Sequence, residues 1–523
     1  VAAIPEGGSL AVRIPGDLAS LQPWNLRSRG EEYIADLLYN GLVRLDAQLR
    51  PQPDLASDWE ISPDGGLITF TLHSDARWHD GEPLTVDDAV WTLNTLRTIT
   101  PTNSLLFDLR SFIGEVRTPL TDTLVISLTQ PYAPLLPELA VPILPRHRLA
   151  ERTAEQLIQL DFLSEPVGSG PFRFASREPG QSLAFIRNEA YFGEAPNLDQ
   201  IAFVVAPDAA VAAQALRDGQ LSLAEFAPSE APGDFPGLQS GDYAENGWYG
   251  VVFNLRPERL FADRRLREAL ALAVDVPALV RDAAGPSAEP IASTILPDSW
   301  ALPDGTAPRT PDTDRARQLL DEAGWVAGAD GVRQKDGRAL SARIWVRGDD
   351  PRRVTAAQRI AEAARLIGMQ LEVVPANFDT VVLGKLAPPY DFDLLLGSWV
   401  NAPNTAGYPT TRHYDPDDYA LFHSSRVWAG QGDTRNGLRN VGGFQNAEYD
   451  AAAEAARVAY DLDARQAAID RAQAVLRAEL PYLLLWADRY TVVAAAGVGT
   501  EDGPPSLDSP RLLWNIERWF VEE

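Results

Sequence analysis

The 523-residue chain contains no cysteine, which removes disulfides, thiolate metal sites and cysteine nucleophiles at once. It leaves the compartment open, because an exported chain long enough to build good cores needs no covalent staples. Lysine is nearly missing as well: Lys335 and Lys385 are the only two, and the other basic residues are arginines. That bias reads first as genome composition. With 46 basic against 73 acidic residues the net charge is −27, which argues against a nucleic-acid backbone or an anionic lipid surface as partner. No window approaches the roughly 18 consecutive apolar residues of a membrane span. The opening VAAIPEGGSL lacks the basic-then-apolar form of a signal peptide, so a leader is expected either never to have existed or to have been removed.

Catalytic signatures are also missing. There is no G-x-S-x-G, no H-E-x-x-H and no phosphate loop ending in G-K-[ST]; VGSGP (167–171) has the wrong spacing and reads as a turn. The five histidines, 73, 79, 147, 413 and 423, never stand at i, i+4. His73 and His79 flank a turn and read as hydrogen-bonding groups rather than metal ligands. Acidic pairs such as Asp87-Asp88 and Asp417-Asp418 read as helix caps or solvated faces in so acidic a chain, so two-carboxylate glycosidase chemistry gains no specific support. No metal and no cofactor is expected.

What is present is an ordinary globular composition, 45% apolar, in a chain too long for a single core. Two or three domains are expected. SLAVRI (9–14), LITFTL (67–72) and 123–128 read as strands, and EEYIADLLYNGLVRL as a short helix closed at Gly41. Thr85 with Asp88 makes a capping box for a helix whose buried face is Val86, Ala89, Val90, Leu93 and Leu96. The prolines of PYAPLLPELAVPILP rule out a regular helix running through that segment. Strand, helix and strand follow over 201–226, then YGVVFNL and a helix capped by Asp263, then a helix capped by Asp312. SARIWV, a helix from about 355 to 367, LEVV and DFDLLLG (391–397) form an α/β layer. Two Ala-rich helices over 446–480 precede the strand-like PYLLLWADRYTVVAAA. Boundaries near 165 and 249 carry no free linker, which suits lobes joined directly by strands around a cleft.

Thirteen tryptophans are many for this length, and two stand at strand ends. In LLLGSWVNAPNTAGYP (394–409) Trp399 sits at the mouth of a buried strand with no acid, His or Cys beside it. Trp248 and Tyr249 open the strand at the lobe boundary. Residues at element ends are the ones presented to a cleft, so these three are candidate walls. Asn401 and Asn404 are candidate hydrogen-bonding groups, and Arg27 and Arg29 candidate holders of a carboxylate.

FTLHSDARWHDGEPLTVDDAVWTL (70–93) resembles the signature region of the family 5 extracellular solute-binding proteins, the peptide- and nickel-binding components of ABC importers. The likeness continues in VGSGPFRF (167–174), IRNEAYFGEAPNLDQIAF (186–203), VVFNLRPERLFADRRLREALALAVD (251–275), DTDRARQLLDEAGW (312–325) and 446–485. It implies an α/β, two-lobed periplasmic-binding-protein-like fold (type II, cluster C) with mixed sheets and hinge-linked lobes. It divides the chain into 1–38, 165–247 and 485–523 as the main part of one lobe, 39–164 as its inserted subdomain, and 248–484 as the other lobe. The function it implies is non-enzymatic: a monomer outside the cytoplasmic membrane captures a ligand, first of all an oligopeptide, and delivers it to membrane permease subunits. Such proteins are often lipid-anchored through an N-terminal Cys; here an anchor is expected to have been lost with the leader or cut away.

The sequence departs from the peptide-binding pattern at one place. Those relatives follow the strand-ending Trp with an Asp that holds the ligand ammonium, whereas here Asn401 is the nearest candidate. A neutral amide supplies no countercharge, so an oligosaccharide or other small organic solute is the alternative ligand. A secreted polysaccharide hydrolase, which needs two converging carboxylates of opposed pKa, is the alternative of a different class, and a scaffold without a cavity the third.

Overall fold

The computed structural model describes residues 5–18, 20–100, 104–164, 166–230, 233–399, 411–430, 433 and 439–522. Its spine is a mixed sheet running through both lobes. The strands follow one another as Gln370–Ala376, Ser341–Arg347, Leu394–Trp399, Trp248–Phe253, Tyr482–Ala494, Leu223–Phe226, Ser9–Ile14, Gln200–Val205, Ser182–Arg187 and Phe172–Glu178. The strand Tyr482–Ala494 is the shared member. Its first half pairs antiparallel with Trp248–Phe253, and its second half with Leu223–Phe226 and Gln239–Ala244.

Two hydrophobic cores lie on either side of that strand. One gathers Leu10, Val12, helix Arg29–Leu38, the four-stranded sheet led by Ala56–Ile61 and Leu67–Leu72, and Trp519. The other gathers Val251, Phe253, the helices Arg264–Ala273, Thr313–Glu322 and Pro351–Leu366, and Leu394, Leu396 and Trp486. A third cluster, with Trp248, Trp399, Tyr482, Phe422 and Tyr449, also takes in Leu45 and Leu49 from the other side, so the lobes share apolar surface.

Local signals set most elements. Thr85 and Asp88 form the expected capping box on helix Val86–Leu96, worth about 1 kcal/mol. Asp263 and Asp312 accept from the backbone N–H groups of Arg265 and Arg315 and start their helices as read. Three boundaries differ. Helix Arg29–Leu38 ends before Gly41, because Tyr39 is already extended; Gly41 instead lies against the backbone of Ala140, where a Cβ would come within 2.6 Å. The helix expected from 355 begins at Pro351 behind an Asp350 cap, a position where proline lacks no bond it needs. The strand expected from 391 begins at Leu394.

His79 shows what its motif is for. Its Nδ1 accepts from the Gly168 N–H at 3.2 Å, so Nε2 carries the proton and donates to the Gly170 carbonyl at 3.0 Å. Burial drives its pKa down to about 4. The ring is a neutral pin between the HDG turn and the VGSGP loop.

Candidate functional site

Among the described residues two passages connect the lobes. One is residues 245–247, between Gln239–Ala244 and Trp248–Phe253; the other is the middle of Tyr482–Ala494. The Glu245 N–H donates to the Asp488 carbonyl at 2.8 Å, which ties the passages together. Side chains from both lobes collect here. Glu225 accepts the hydroxyls of Tyr33 at 2.5 Å and Tyr243 at 2.6 Å, and Arg29 lies 3.6 Å away. Asp488 accepts both ends of Arg352, at 2.9 and 3.3 Å. Arg352 also donates to the Tyr249 hydroxyl at 3.1 Å, and the Tyr249 ring stacks on Trp486 with centroids 4.4 Å apart.

Strand geometry sorts the candidate walls. Side chains alternate between the faces of a strand, so Trp248 and Tyr249 point to opposite sides. Trp248 stands directly across from Trp399 in the ladder, and their indoles stack at 5.3 Å. Tyr482 meets both edge-on, at 5.4 and 5.0 Å. The next pair on that face is Gly250 opposite Gly397, and it leaves the room the rings occupy: a Cβ at Gly397 would come within 2.8 Å of the Trp399 ring. Trp248 and Trp399 are thus a buried stack 3% and 7% exposed, while Tyr249 belongs to the Arg352–Asp488 network on the other face.

The two arginines separate as well. Arg27 is exposed, and its backbone N–H donates to Glu31. Arg29 is buried, donating to Glu32 at 3.1 Å and the Pro510 carbonyl at 3.0 Å, with its guanidinium over the Tyr243 ring. Asn401 and Asn404 lie outside the described residues.

The segment that follows them reaches into the other lobe. Thr411 donates through its hydroxyl to Glu32 at 2.9 Å. Arg412 pairs with Asp36 and donates to the Ala140 and Tyr39 carbonyls, and Arg511 bonds both Glu32 and Asp36. Residues 411 and 412 are therefore clamped onto helix Arg29–Leu38 of the other lobe.

One carboxylate stands out, and sequence reasoning missed it. Glu245 sits in the first passage near Tyr490 and within reach of the Arg29 charge, both of which favour its ionised form, and has no ion pair among the described residues. Burial raises its pKa first, and the negative charge of Asp488 adds to that. The missed signal was the strand Gln239–Ala244: without it, nothing marks AENGW (244–248) as a crossing.

These features match a known architecture. The model of the bacterial extracellular solute-binding proteins, family 5 (middle), matches residues 50–420. The chain belongs to that family. It is accordingly an extracytoplasmic binding component of a transport system and not an enzyme. Protein XP55 of Streptomyces lividans is 30% identical over 86% of this chain and 78% of its own. The oligopeptide-binding protein AppA of Bacillus subtilis is 24% identical over 99% of this chain and 92% of its own. The solved structure of AppA with a nonapeptide superposes at a TM-score of 0.67, with 23% identity and all of both chains covered. HbpA2 of Haemophilus parasuis reaches 0.80 at 18% identity, over 99% of this chain and 100% of that one. At such identities the solved structures speak for the two-lobed fold.

Proposed function

We propose that this member of the family captures a peptide between its lobes, holds the peptide's ammonium at Glu245, and delivers it to an ABC importer. The observation that carries the reading is the state of the carboxylates at the crossings. Glu225, Asp488 and Glu32 each lie within ion-pair distance of an arginine, whereas Glu245 has no ion pair among the described residues and feels the Arg29 charge only from farther off. A ligand ammonium would supply the missing countercharge and draw the raised pKa of Glu245 back down. Glu245 would then do what Asn401 cannot. The relatives' names, an oligopeptide-binding protein among them, favour the same ligand class.

In this reading the Trp248–Trp399 stack is the rigid end-wall, Asn401 and Asn404 bond the peptide backbone, and Tyr249 lines the floor through Arg352. Exposed Arg27 is the better holder of a ligand carboxylate, because Arg29 already serves Glu32 and Pro510.

Titration of tryptophan fluorescence with free and N-acetylated peptides tests this. Hydrogen bonds to a charged group contribute about 1.5–3 kcal/mol. Acetylation or Glu245→Gln is therefore expected to weaken binding roughly ten- to a hundredfold, and the two together little more than either alone. Equal binding of free and acetylated peptides rejects Glu245 as the ammonium holder, and a response to oligosaccharides alone rejects the peptide.

A further inference from the structure

The lobes meet again well away from the crossings. Helix Ser104–Phe112 and the short helix Leu135–Glu138 face residues 413–418 and the end of helix Ala447–Val458. The Ala133 N–H donates to the Arg457 carbonyl at 2.6 Å. The Tyr460 hydroxyl accepts from the Tyr132 N–H at 3.1 Å and donates to the Gly65 carbonyl at 3.2 Å. Arg457 lies over the Tyr132 ring and pairs with Asp417 at 2.7 Å.

Four carboxyls are enclosed in this contact. Arg457 answers Asp417, and Arg465 answers Asp415 at 2.7 Å. Among the described residues no ion pair reaches Asp108 or Glu138, which are 1% and 5% exposed. Asp108 accepts the Tyr132 hydroxyl at 2.7 Å. The Glu138 Oε2 meets no donor among the described residues, and the Asp108 and Glu138 carboxyls lie close enough to act on each other. Two carboxyls so placed can hydrogen-bond each other only if one carries a proton. With both ionised, two negative charges would touch beside Asp415 and Asp417.

We infer that Asp108 and Glu138 form a proton-controlled latch between the lobes: sharing a proton they let the contact close, and ionised they open it. Burial is the main force raising both groups, and Asp108 is pushed up to about 7. Opening would hydrate both and return them towards the ordinary carboxylate range near 4. The closed form therefore binds the shared proton more tightly; that proton is the last to leave the pair, from Glu138, whose pKa is raised well above the ordinary carboxylate range, so closure is favoured as pH falls and lost as pH rises through that raised range. The other groups facing the pair do not reverse this. Arg457 and Arg465 are committed to Asp417 and Asp415; Tyr132 is pushed further up by burial. His413, hydrogen-bonded to the Pro137 carbonyl, is driven down by burial and by Arg412, so it stays neutral over the same range. The latch faces the pH outside the cytoplasmic membrane, and its setting would decide how readily the lobes part.

Because the chain has no cysteine, two introduced ones are unique spin-label sites. Leu120→Cys and Val326→Cys are at exposed positions on the two lobes, 65% and 68% accessible. Distances between the labels, measured without ligand at pH 5.5 and 8.5, read the latch independently of the peptide reading. A single short distance at pH 5.5 is expected, with a longer one growing in towards pH 8.5, the ratio changing by up to about tenfold per pH unit near the midpoint. Glu138→Gln, whose amide donates without needing a titrating proton, is expected to hold the short distance at both pH values, and Asp108→Asn serves as the second variant should the first fail to fold. Identical distances at both pH values in the parent, or an unaltered pH response in the folded variant, would overturn the latch.

Discussion

The two places where residues 411–418 touch the other lobe are built from the same ingredients in opposite proportion. At the clamp, the carboxylates Glu32 and Asp36 face three arginines, Arg29, Arg412 and Arg511. At the latch, four carboxyls face two arginines, Arg457 and Arg465. The first arrangement gives each carboxylate two arginine partners, so it fixes where the segment attaches. The second is satisfied only with a proton added, so it reports the solution. One short strap thus carries a permanent contact and a conditional one.

The largest effect is expected from breaking the permanent contact. Arg412→Ala strips Asp36 of one of its two guanidinium partners inside a buried site, which typically costs about 3–5 kcal/mol. A fall in the urea midpoint of that size, with the pH response of the latch retained, would separate the two contacts; a change below 1 kcal/mol would mean the clamp is weak. Next comes a test of the aromatic end-wall. Gly397→Ala forces a Cβ to within 2.8 Å of the Trp399 ring, and overpacking of this kind costs about 1–3 kcal/mol; thermal unfolding and near-ultraviolet dichroism of the stack would show it. Thr85→Ala, far from both contacts, removes one capping bond and is expected to cost about 1 kcal/mol with no effect on lobe distances. The smallest effect sharpens the comparison of titrating groups. His79, unlike Asp108, gives stability above its unfolded pKa of about 6.5 and loses it as pH falls towards 4, so its imidazole resonances should stay neutral down to about that pH. Titration of the His79 ring near 6.5 would contradict its role as a buried pin.

Much of the fold was legible because its signals are local. Thr85 and Asp88 are three residues apart, Asp263 and Asp312 precede their helices directly, and the alternation of 67–72 is visible in six letters. Trp399 and Trp248 were picked out by their positions at strand ends, but not that they would stack on each other over a glycine pair; that needed the register of two strands far apart in sequence. Glu245 escaped because QSGDYA, polar and glycine-containing, carries no clear strand pattern, although it pairs along the shared strand. The latch was illegible for the same reason in stronger form. Asp108 and Glu138 lie on separate helices, and the arginines and acids that define their surroundings come from the far third of the chain. Composition reports an excess of acid; only the fold says which acids share a proton.

The most direct test of the account is native mass spectrometry of the protein purified without denaturation near pH 6, where the latch favours closure. The account expects the chain to carry an added mass that fragments as peptide and that is lost or strongly reduced in Glu245→Gln. A chain that retains a sugar or another uncharged solute, or that holds its peptide equally well without the Glu245 carboxylate, would contradict it.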